Sequence, residues 1–225
     1  MKSEFLAQMS HEIRTPLNTL INSSQFVREE LTEERYEDQE EIFKIIQLSG
    51  GRIIRTVESL LSMSELQTGT YEPTVNQLNL VEDILEDLVK EYKLPAEEKN
   101  LELSLNVKTS APTVDVDSYS VTEIFSHLID NAIKYTNKGR VDVNVYDENN
   151  SIKVEVKDTG KGIREEFLPH LFESFRQEQQ GYTRKYEGNG LGLALVNKFC
   201  EINKLKIDVE STVGKGTVFT VTFPV

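Results

Sequence analysis

His127–Thr136 reads "HLIDNAIKYT", and its reading decides the fold of the second half of the chain. The stretch lies on a predicted helix, Val121 to Thr136. On that helix Asn131 and Lys134 are three residues apart and share a face with His127 and Tyr135. An amide, an ammonium and a phenol grouped in this way suit a metal–phosphate site beside a purine. Asn and Lys are also ordinary on exposed helix faces, so the stretch needs partners elsewhere in the chain.

Two glycine-rich elements follow it. "DTGKGI", Asp158–Ile163, comes directly after a predicted strand, and "GNGLGLAL", Gly188–Leu195, opens a predicted helix. Glycine lets a backbone approach a phosphate closely, and free amides at a helix start favour an anion. Either run alone is weak, because glycines punctuate turns everywhere. The second also satisfies part of a dinucleotide-type pattern, but it follows no strand and so fails that motif's context.

Outward from these elements the chain has two characters. Residues 1 to about 67 read as two long helices. Phe5, Leu6, Met9, Ile13, Leu17, Leu20 and Ile21 form one stripe; Ile42, Ile45, Ile46, Ile53, Val57, Leu60 and Leu61 form another. The acidic "REELTEERYEDQEE" between them reads as a solvated hairpin tip. Two amphipathic helices cannot close a core alone, but two such hairpins can, as a four-helix bundle, which predicts a homodimer through the helical hairpin. Gly50 and Gly51 interrupt the second helix, through either close helix approach or a bend.

"QTGTYEPTVNQ", Gln67–Gln77, breaks the helical pattern and is the expected linker at 68–77, giving units at 1–67 and 78–225. Beyond it, Leu80 to about Lys99 is helical, and "LELSLNV" alternates as a strand. "RVDVNVYDENNSIKVEVKD" is a hairpin turning at Asn149-Asn150. A helix around Leu191–Asn203 precedes two last strands. Antiparallel hairpins mixed with helices predict a two-layer α/β sandwich, so the whole chain is α+β.

Composition narrows the function. The 225 residues carry a formal charge of −13, against binding to nucleic acid or an anionic lipid surface. No apolar run approaches the ~20 residues of a membrane span, so no membrane contact is expected within this fragment. The one cysteine, Cys200, excludes an intrachain disulfide framework and reads as inert core packing. A cytoplasmic location is expected. The helical start at Met1 suggests a piece of a longer protein, whose remainder could be anchored in a membrane.

At the amino terminus, "FLAQMSHEIRTPLN", Phe5–Asn18, pairs His11 with Glu12 and meets Pro16 soon after. A His–Glu pair is a candidate nucleophile with an attached proton acceptor, or simply a solvated helix face. With this motif the chain resembles the catalytic core of a two-component sensor histidine kinase over nearly its whole length. "FLAQMSHEIRTPLN" resembles the phosphoacceptor box of the dimerisation and histidine-phosphotransfer domain. "HLIDNAIKYT", "DTGKGI", "LFESF" and "GNGLGLAL" resemble the N, first glycine, phenylalanine and second glycine boxes of the ATP-binding domain, and "STVGKGTVFTVTFP" its closing strands. The family's fold is a dimeric four-helix bundle joined to a sandwich of the GHKL ATPase superfamily.

That resemblance implies ATP and Mg2+ as cofactors and the receiver domain of a response regulator as partner. It implies that Asp158 accepts a hydrogen bond from the adenine amino group, that Asn131 is the metal ligand, and that Lys134 contacts phosphate. Tyr135 lines the purine pocket, and Gly160 and Gly162 let the loop pass close to the nucleotide. Gly188, Gly190, Leu191, Gly192 and Leu193 shape the phosphate edge. "ESFRQEQQGYTRKYE" is the expected lid, with Arg184 and Lys185 as its cationic phosphate contacts. Phe172 and Phe175 either anchor the lid base or act directly. His11 is the implied nucleophile, Glu12 holds its other ring N–H, and Thr15 assists dephosphorylation of the regulator.

One position departs from the family. Sensor kinases usually carry asparagine where this chain has His127, and the superfamily's hydrolases carry a glutamate that activates water. The missing carboxylate favours transfer to His11 over hydrolysis. Glu123, one turn back, reads as exposed. Two other classes stay open on sequence alone: a nucleotide-binding scaffold without transfer, and an ATP-hydrolysing mechanical enzyme.

Overall fold

The structure, a computed structural model, describes residue 13 and residues 16–24, 36–110, 112–176 and 190–224. The chain divides into two compact units, Met1–Thr70 and Tyr71–Val225. His11, Glu12, Thr15, Arg184, Lys185 and Gly188 lie outside the described residues.

The first unit contains helix α1, residues 16–24, and helix α2, Tyr36–Thr68. α2 runs unbroken through Gly50 and Gly51. A Cβ on Gly50 would meet Leu20 Cδ1 at 3.8 Å, an ordinary contact, so neither a bend nor unusually close approach demands the glycine. α2 ends at Gly69, whose φ of +70° is the left-handed conformation of a helix C-cap, and the Thr70 amide bonds back to the Glu65 carbonyl at 3.0 Å. Leu17, Ile21, Ile54, Val57 and Leu61 are exposed on these helices, so part of the apolar pattern has no cover among the described residues.

The second unit has two sheets. β1 (Val75–Asn79) pairs antiparallel with β3 (Thr113–Asp117). A five-stranded sheet runs in the order β2 (Leu101–Lys108), β4 (Gly139–Glu148), β5 (Ser151–Asp158), β7 (Gly216–Pro224), β6 (Lys206–Thr212). All its pairs are antiparallel except β2–β4. Helices α3 (Glu86–Glu98), α4 (Ser118–Tyr135) and α5 (Gly192–Ile202) supply the second layer.

Two local findings refine the sequence reading. The expected linker at 68–77 overlaps β1, a strand too short and too polar to show as alternation, so only residues 69–74 lack a regular element. The expected antiparallel hairpins form, and beside them the sheet carries one parallel pair, because β2 returns through β3 and α4 to join β4. The Asn149-Asn150 turn forms as expected: both residues have positive φ, 51° and 59°, which the right-handed twist of a two-residue hairpin requires.

The core follows from alternation. Val141, Val143 and Val145 of β4, Ile152, Val154 and Val156 of β5 and Phe219, Val221 and Phe223 of β7 are buried on one face. Against them lie Ile124, Phe125 and Leu128 of α4 and Leu195, Val196 and Phe199 of α5. The rings of Phe125 and Phe223 stack with centroids 6.2 Å apart. The opposite face is polar; Tyr146 donates to Glu155 at 2.7 Å and Ser104 to Asp142 at 3.0 Å. Cys200 is buried with its thiol pushed up to about 12 by desolvation and the nearby Glu201, which leaves it an inert packing group.

The approach to helix α3 opens on a reciprocal cap. Asn79 Oδ1 accepts from the amides of Val81 and Glu82 at 3.0 and 3.3 Å, while Asp83 Oδ2 accepts from the Asn79 amide at 2.7 Å. A π-helical turn, Val81–Leu85, leads from there into α3. Asp117 caps α4 and does more. Its carboxylate accepts from the Ser120 amide (2.9 Å), the Thr74 amide (2.9 Å) and the Tyr71 hydroxyl (2.6 Å). Asn203 ties the same knot from the end of α5, accepting from the Asp117 amide at 2.9 Å and donating to Ser120 Oγ at 2.7 Å.

Burial pushes the Asp117 carboxyl up, but the hydrogen bonds from Ser120, Tyr71 and Thr74 outweigh it and hold the pKa below the ordinary 3.8. Its contribution to stability is therefore complete above the ordinary value and is lost as pH falls through the lower folded value. Asp117→Ala, which strands three donors, is expected to lower stability by about 2–4 kcal/mol in urea unfolding at pH 7. The difference between the variant and the parent should shrink below pH 4, within reach of the ordinary 3.8.

Candidate functional site

Three segments converge in the second unit: the carboxyl end of α4, the loop after β5, and the start of α5. Asp158 ends β5 at 7% exposure. Its Oδ1 accepts from the Gly160 amide at 2.7 Å and the Thr217 amide at 3.3 Å. Its Oδ2 makes no hydrogen bond among the described residues. Burial raises the carboxyl above the ordinary 3.8, and the two amides only partly counter it. One oxygen is thus spent on fixing the side chain, and the other is left to accept from a ligand.

The loop that follows is clamped on every side. Lys161 donates its amide to the Tyr135 carbonyl at 3.3 Å, Ile163 donates to Ser211 Oγ at 2.8 Å, and the Gly214 amide bonds the Lys161 carbonyl at 2.8 Å. Two glycines are required by this packing. A Cβ on Gly160 would sit 2.5 Å from the Tyr135 carbonyl and 2.8 Å from Asp158 Oδ1; one on Gly162, at φ +68°, would sit 2.1 Å from the Thr212 carbonyl. The lack of a Cβ at these glycines lets the loop pack against α4 and the β6–β7 turn.

At the end of α4, the Tyr135 ring has the Lys134 ammonium 5.1 Å from its centroid and the Lys161 ammonium 4.7 Å away. Asn131, one turn back, is half-buried, and its amide makes no hydrogen bond among the described residues. Lys99 fixes this helix end by donating to the carbonyls of Ile133 and Lys134 at 2.8 and 3.0 Å. Lys99, Lys161 and Thr217 escaped sequence reading. Lys161 sits inside the quoted glycine loop and could have been found there; Lys99 and Thr217 come from distant segments and carry no local signal.

At the start of α5, Gly190 has φ +69° and accepts the Phe175 amide at 2.9 Å. Phe175 itself has a positive φ of 66°. Neither Phe172 nor Phe175 is buried; Leu171 takes the anchoring place in the core. Leu191 is fully buried, so its side chain serves packing and only its backbone can face a ligand. Leu193 is half-buried, and Gly192 rests on His127: a Cβ there would lie 3.4 Å from the imidazole Nδ1.

His127 has Nε2 shut off from solvent without a hydrogen bond, 3.7 Å from Glu123 Oε2. Glu123 is therefore half-buried beside the ring, not exposed as its position in sequence suggests. Burial holds the imidazole below its ordinary 6.5, with Asp130 pulling weakly the other way, so the ring is neutral near pH 7. Among the described residues no three His, Cys, Asp or Glu side chains cluster to hold a metal by themselves. A divalent ion would need ligands from a bound phosphate, with Asn131 as an oxygen donor.

The chain matches two family models in sequence: "His Kinase A (phospho-acceptor) domain" over residues 1–69, and "Histidine kinase-, DNA gyrase B-, and HSP90-like ATPase" over residues 116–225. An uncharacterised sensor-like histidine kinase of Rhizobium meliloti is 37% identical over 227 residues, covering 99% of this chain and 43% of that protein. The autoinducer 2 sensor kinase/phosphatase LuxQ of Vibrio cholerae is 35% identical over 231 residues, covering 100% of this chain and 26% of that protein. This chain therefore spans less than half the length of these curated relatives. The histidine kinase AdeS of Acinetobacter baumannii has the same fold, with a TM-score of 0.72 at 21% identity over 95% of this chain and 97% of that one. Full-length ShkA, solved in complex with AMPPNP, also reaches 0.72, at 25% identity over 98% of this chain and 45% of that one. With an acceptor-domain match at one end and a clamped Asp158 loop inside an ATPase-domain match at the other, this chain belongs to the sensor histidine kinases.

Proposed function

We propose that this chain binds ATP at Asp158, transfers its γ-phosphoryl group to His11, and passes it on to an aspartate of a response regulator. The observation that carries the reading is Asp158: a buried carboxylate with one oxygen locked by two backbone amides and the other open. An adenine amino group is a donor that such an acceptor recognises and that guanine lacks at the same place. Tyr135 offers a ring for the purine, and Lys134 and Lys161 bring positive charge beside it. ShkA, similar over nearly the whole chain, was solved with an ATP analogue.

Asn131 supplies an amide oxygen with no hydrogen-bond partner among the described residues, which suits Mg2+ carried by the nucleotide's phosphates. When bound, the ion would neutralise charge on the transferring phosphoryl group. His11 acts as a neutral imidazole: its unprotonated nitrogen forms the N–P bond as the bond from γ-phosphorus to the bridging oxygen breaks and ADP leaves. Glu12 holds the other ring N–H and offsets the positive charge that develops. The same phosphoryl group then moves to a carboxylate of the receiver domain. Thr15, four residues after His11 in the sequence, positions the water that hydrolyses the regulator's aspartyl phosphate to inorganic phosphate; LuxQ is a kinase/phosphatase. The lid at 173–187 contributes Arg184 and Lys185 to the phosphates, and Gly188, Gly190 and Gly192 supply backbone room there.

A second copy of the chain covers the exposed apolar residues Leu17, Ile21, Ile54, Val57 and Leu61, making the four-helix bundle. Among the described residues no helix is long and apolar enough to cross a membrane.

Incubation with γ-labelled ATP should place an acid-labile, alkali-stable label on His11. His11→Ala should remove it, and Asn131→Ala should cut its rate by about 100-fold or more. Label on another side chain, or steady phosphate release that survives His11→Ala, would contradict the reading. Asp158→Ala should weaken ATP binding by about 10- to 100-fold in calorimetry, the loss of one charged hydrogen bond. Because burial holds the Asp158 carboxyl above the ordinary 3.8, wild-type affinity should decline on acidification before an exposed carboxylate would protonate.

A further inference from the structure

The chain between the two units is bound almost to its midpoint from both sides. Thr70, the last residue of the first unit, still belongs to α2. Its amide bonds the Glu65 carbonyl at 3.0 Å, and its hydroxyl lies 2.9 Å from that of Thr68, which also donates to the Ser64 carbonyl at 2.8 Å. The next residue is already fixed to the second unit. The Tyr71 hydroxyl donates to Asp117 Oδ2 at 2.6 Å. Its ring meets Phe199 of α5 edge-on with centroids 5.7 Å apart, and Tyr119 of α4 at 6.4 Å.

The seat under Tyr71 is rigid. Phe199 is fully buried, and the Ser120 and Thr74 amides hold the Asp117 carboxylate independently of the phenol. A charged acceptor strengthens the bond. Burial, and after it the bond to Asp117, push the hydroxyl above its ordinary 10.0, so it keeps the proton that the bond needs. Asp117 caps the amino end of α4, whereas Asn131, Lys134 and Tyr135 lie towards its other end. About 20 Å of helix separates the phenol from the groups that hold the nucleotide.

We propose that Tyr71 is a positioning residue for the phosphorylation of His11: its bond to Asp117 makes the Thr70–Tyr71 junction the pivot about which the nucleotide-bearing unit reaches the histidine. With the bond closed, only the backbone torsions at that junction are free between α2 and the second unit. With it open, the next anchors are the Thr74 amide on Asp117 and the pairing of Val75 with Asp117, so Tyr71, Glu72 and Pro73 join the free chain. That adds about 10 Å of extended reach. A longer tether spreads the γ-phosphate over a larger volume and lowers its effective concentration at the imidazole. Attack needs the reacting atoms within about 3–3.5 Å, so the loss falls on transfer and not on nucleotide binding.

The inference rests on the proposed phosphorylation of His11, and the experiment reads that step in the parent first. Initial rates of His11 labelling are measured against ATP concentration in the full chain for the parent, Tyr71→Phe, Tyr71→Ala and two insertions of a Gly-Ser-Gly tripeptide. One insertion, between Thr70 and Tyr71, lengthens the pivot and keeps every side chain. The other, between Glu72 and Pro73, lengthens only the segment that the closed bond bypasses. The first insertion and Tyr71→Ala should lower kcat by about fivefold or more with KM for ATP within about twofold of the parent. Tyr71→Phe, which keeps the ring on Phe199, should fall between them and the parent, and the second insertion should leave both constants unchanged. Equal rates in the two insertions overturn the proposal while leaving the phosphorylation reading intact. A loss confined to KM does the same, because Tyr71 would then act through α4 on nucleotide binding. No label on His11 in the parent overturns both.

Discussion

A buried carboxylate is tolerated only where its surroundings make use of it. Asp158 is held in place by the amides of Gly160 and Thr217, and each belongs to a segment that must itself be fixed. Gly160 is fixed because its loop packs on the end of α4, and the absence of a Cβ is what allows that approach. Thr217 is fixed by β7, which pairs with β5 and so returns to Asp158. The sheet register, the end of α4 and the β6–β7 turn all converge on one side chain. The other site groups take their places from the same frame, Tyr135 and Lys161 through the Lys161 amide bond to the Tyr135 carbonyl.

The frame is held at a second point by another carboxylate. Asp117 caps α4 at its amino end and binds Tyr71 and Thr74, while Lys99 holds the carbonyls at the other end of the same helix. Helix α4 is therefore tied at both termini by side chains from outside it, and the site residues lie in its last two turns. The first unit shows the opposite situation. Several of its apolar residues stay exposed among the described residues, which is why a second copy enters the proposed function as their cover.

The sequence made some of this legible and hid the rest for physical reasons. The Asn149-Asn150 turn and the alternation around it carry local signals, and both strands form as those signals predict. Asn131, Lys134, Tyr135 and Asp158 stand out because their spacing on a helix and after a strand is itself the clue. The parallel β2–β4 pair could not be read, since register between distant strands depends on what packs against them. Nor could Lys99 be assigned, because a long flexible side chain reaches carbonyls thirty-four and thirty-five positions away. At Gly160 and Gly162 the structure adds a need that the sequence does not display: a Cβ at either would meet the protein's own backbone.

If Asp158 accepts from the exocyclic amino group of adenine, the test is to change that edge of the base and keep the sugar and phosphates. Inosine triphosphate has the same ribose and triphosphate but presents a carbonyl there, an acceptor facing an acceptor. Thermal unfolding with each nucleotide should show a clear rise in Tm with ATP and, at the same concentration, almost none with inosine triphosphate. Equal stabilisation by the two would mean that this carboxylate does not read the base, and the account built on it would be wrong.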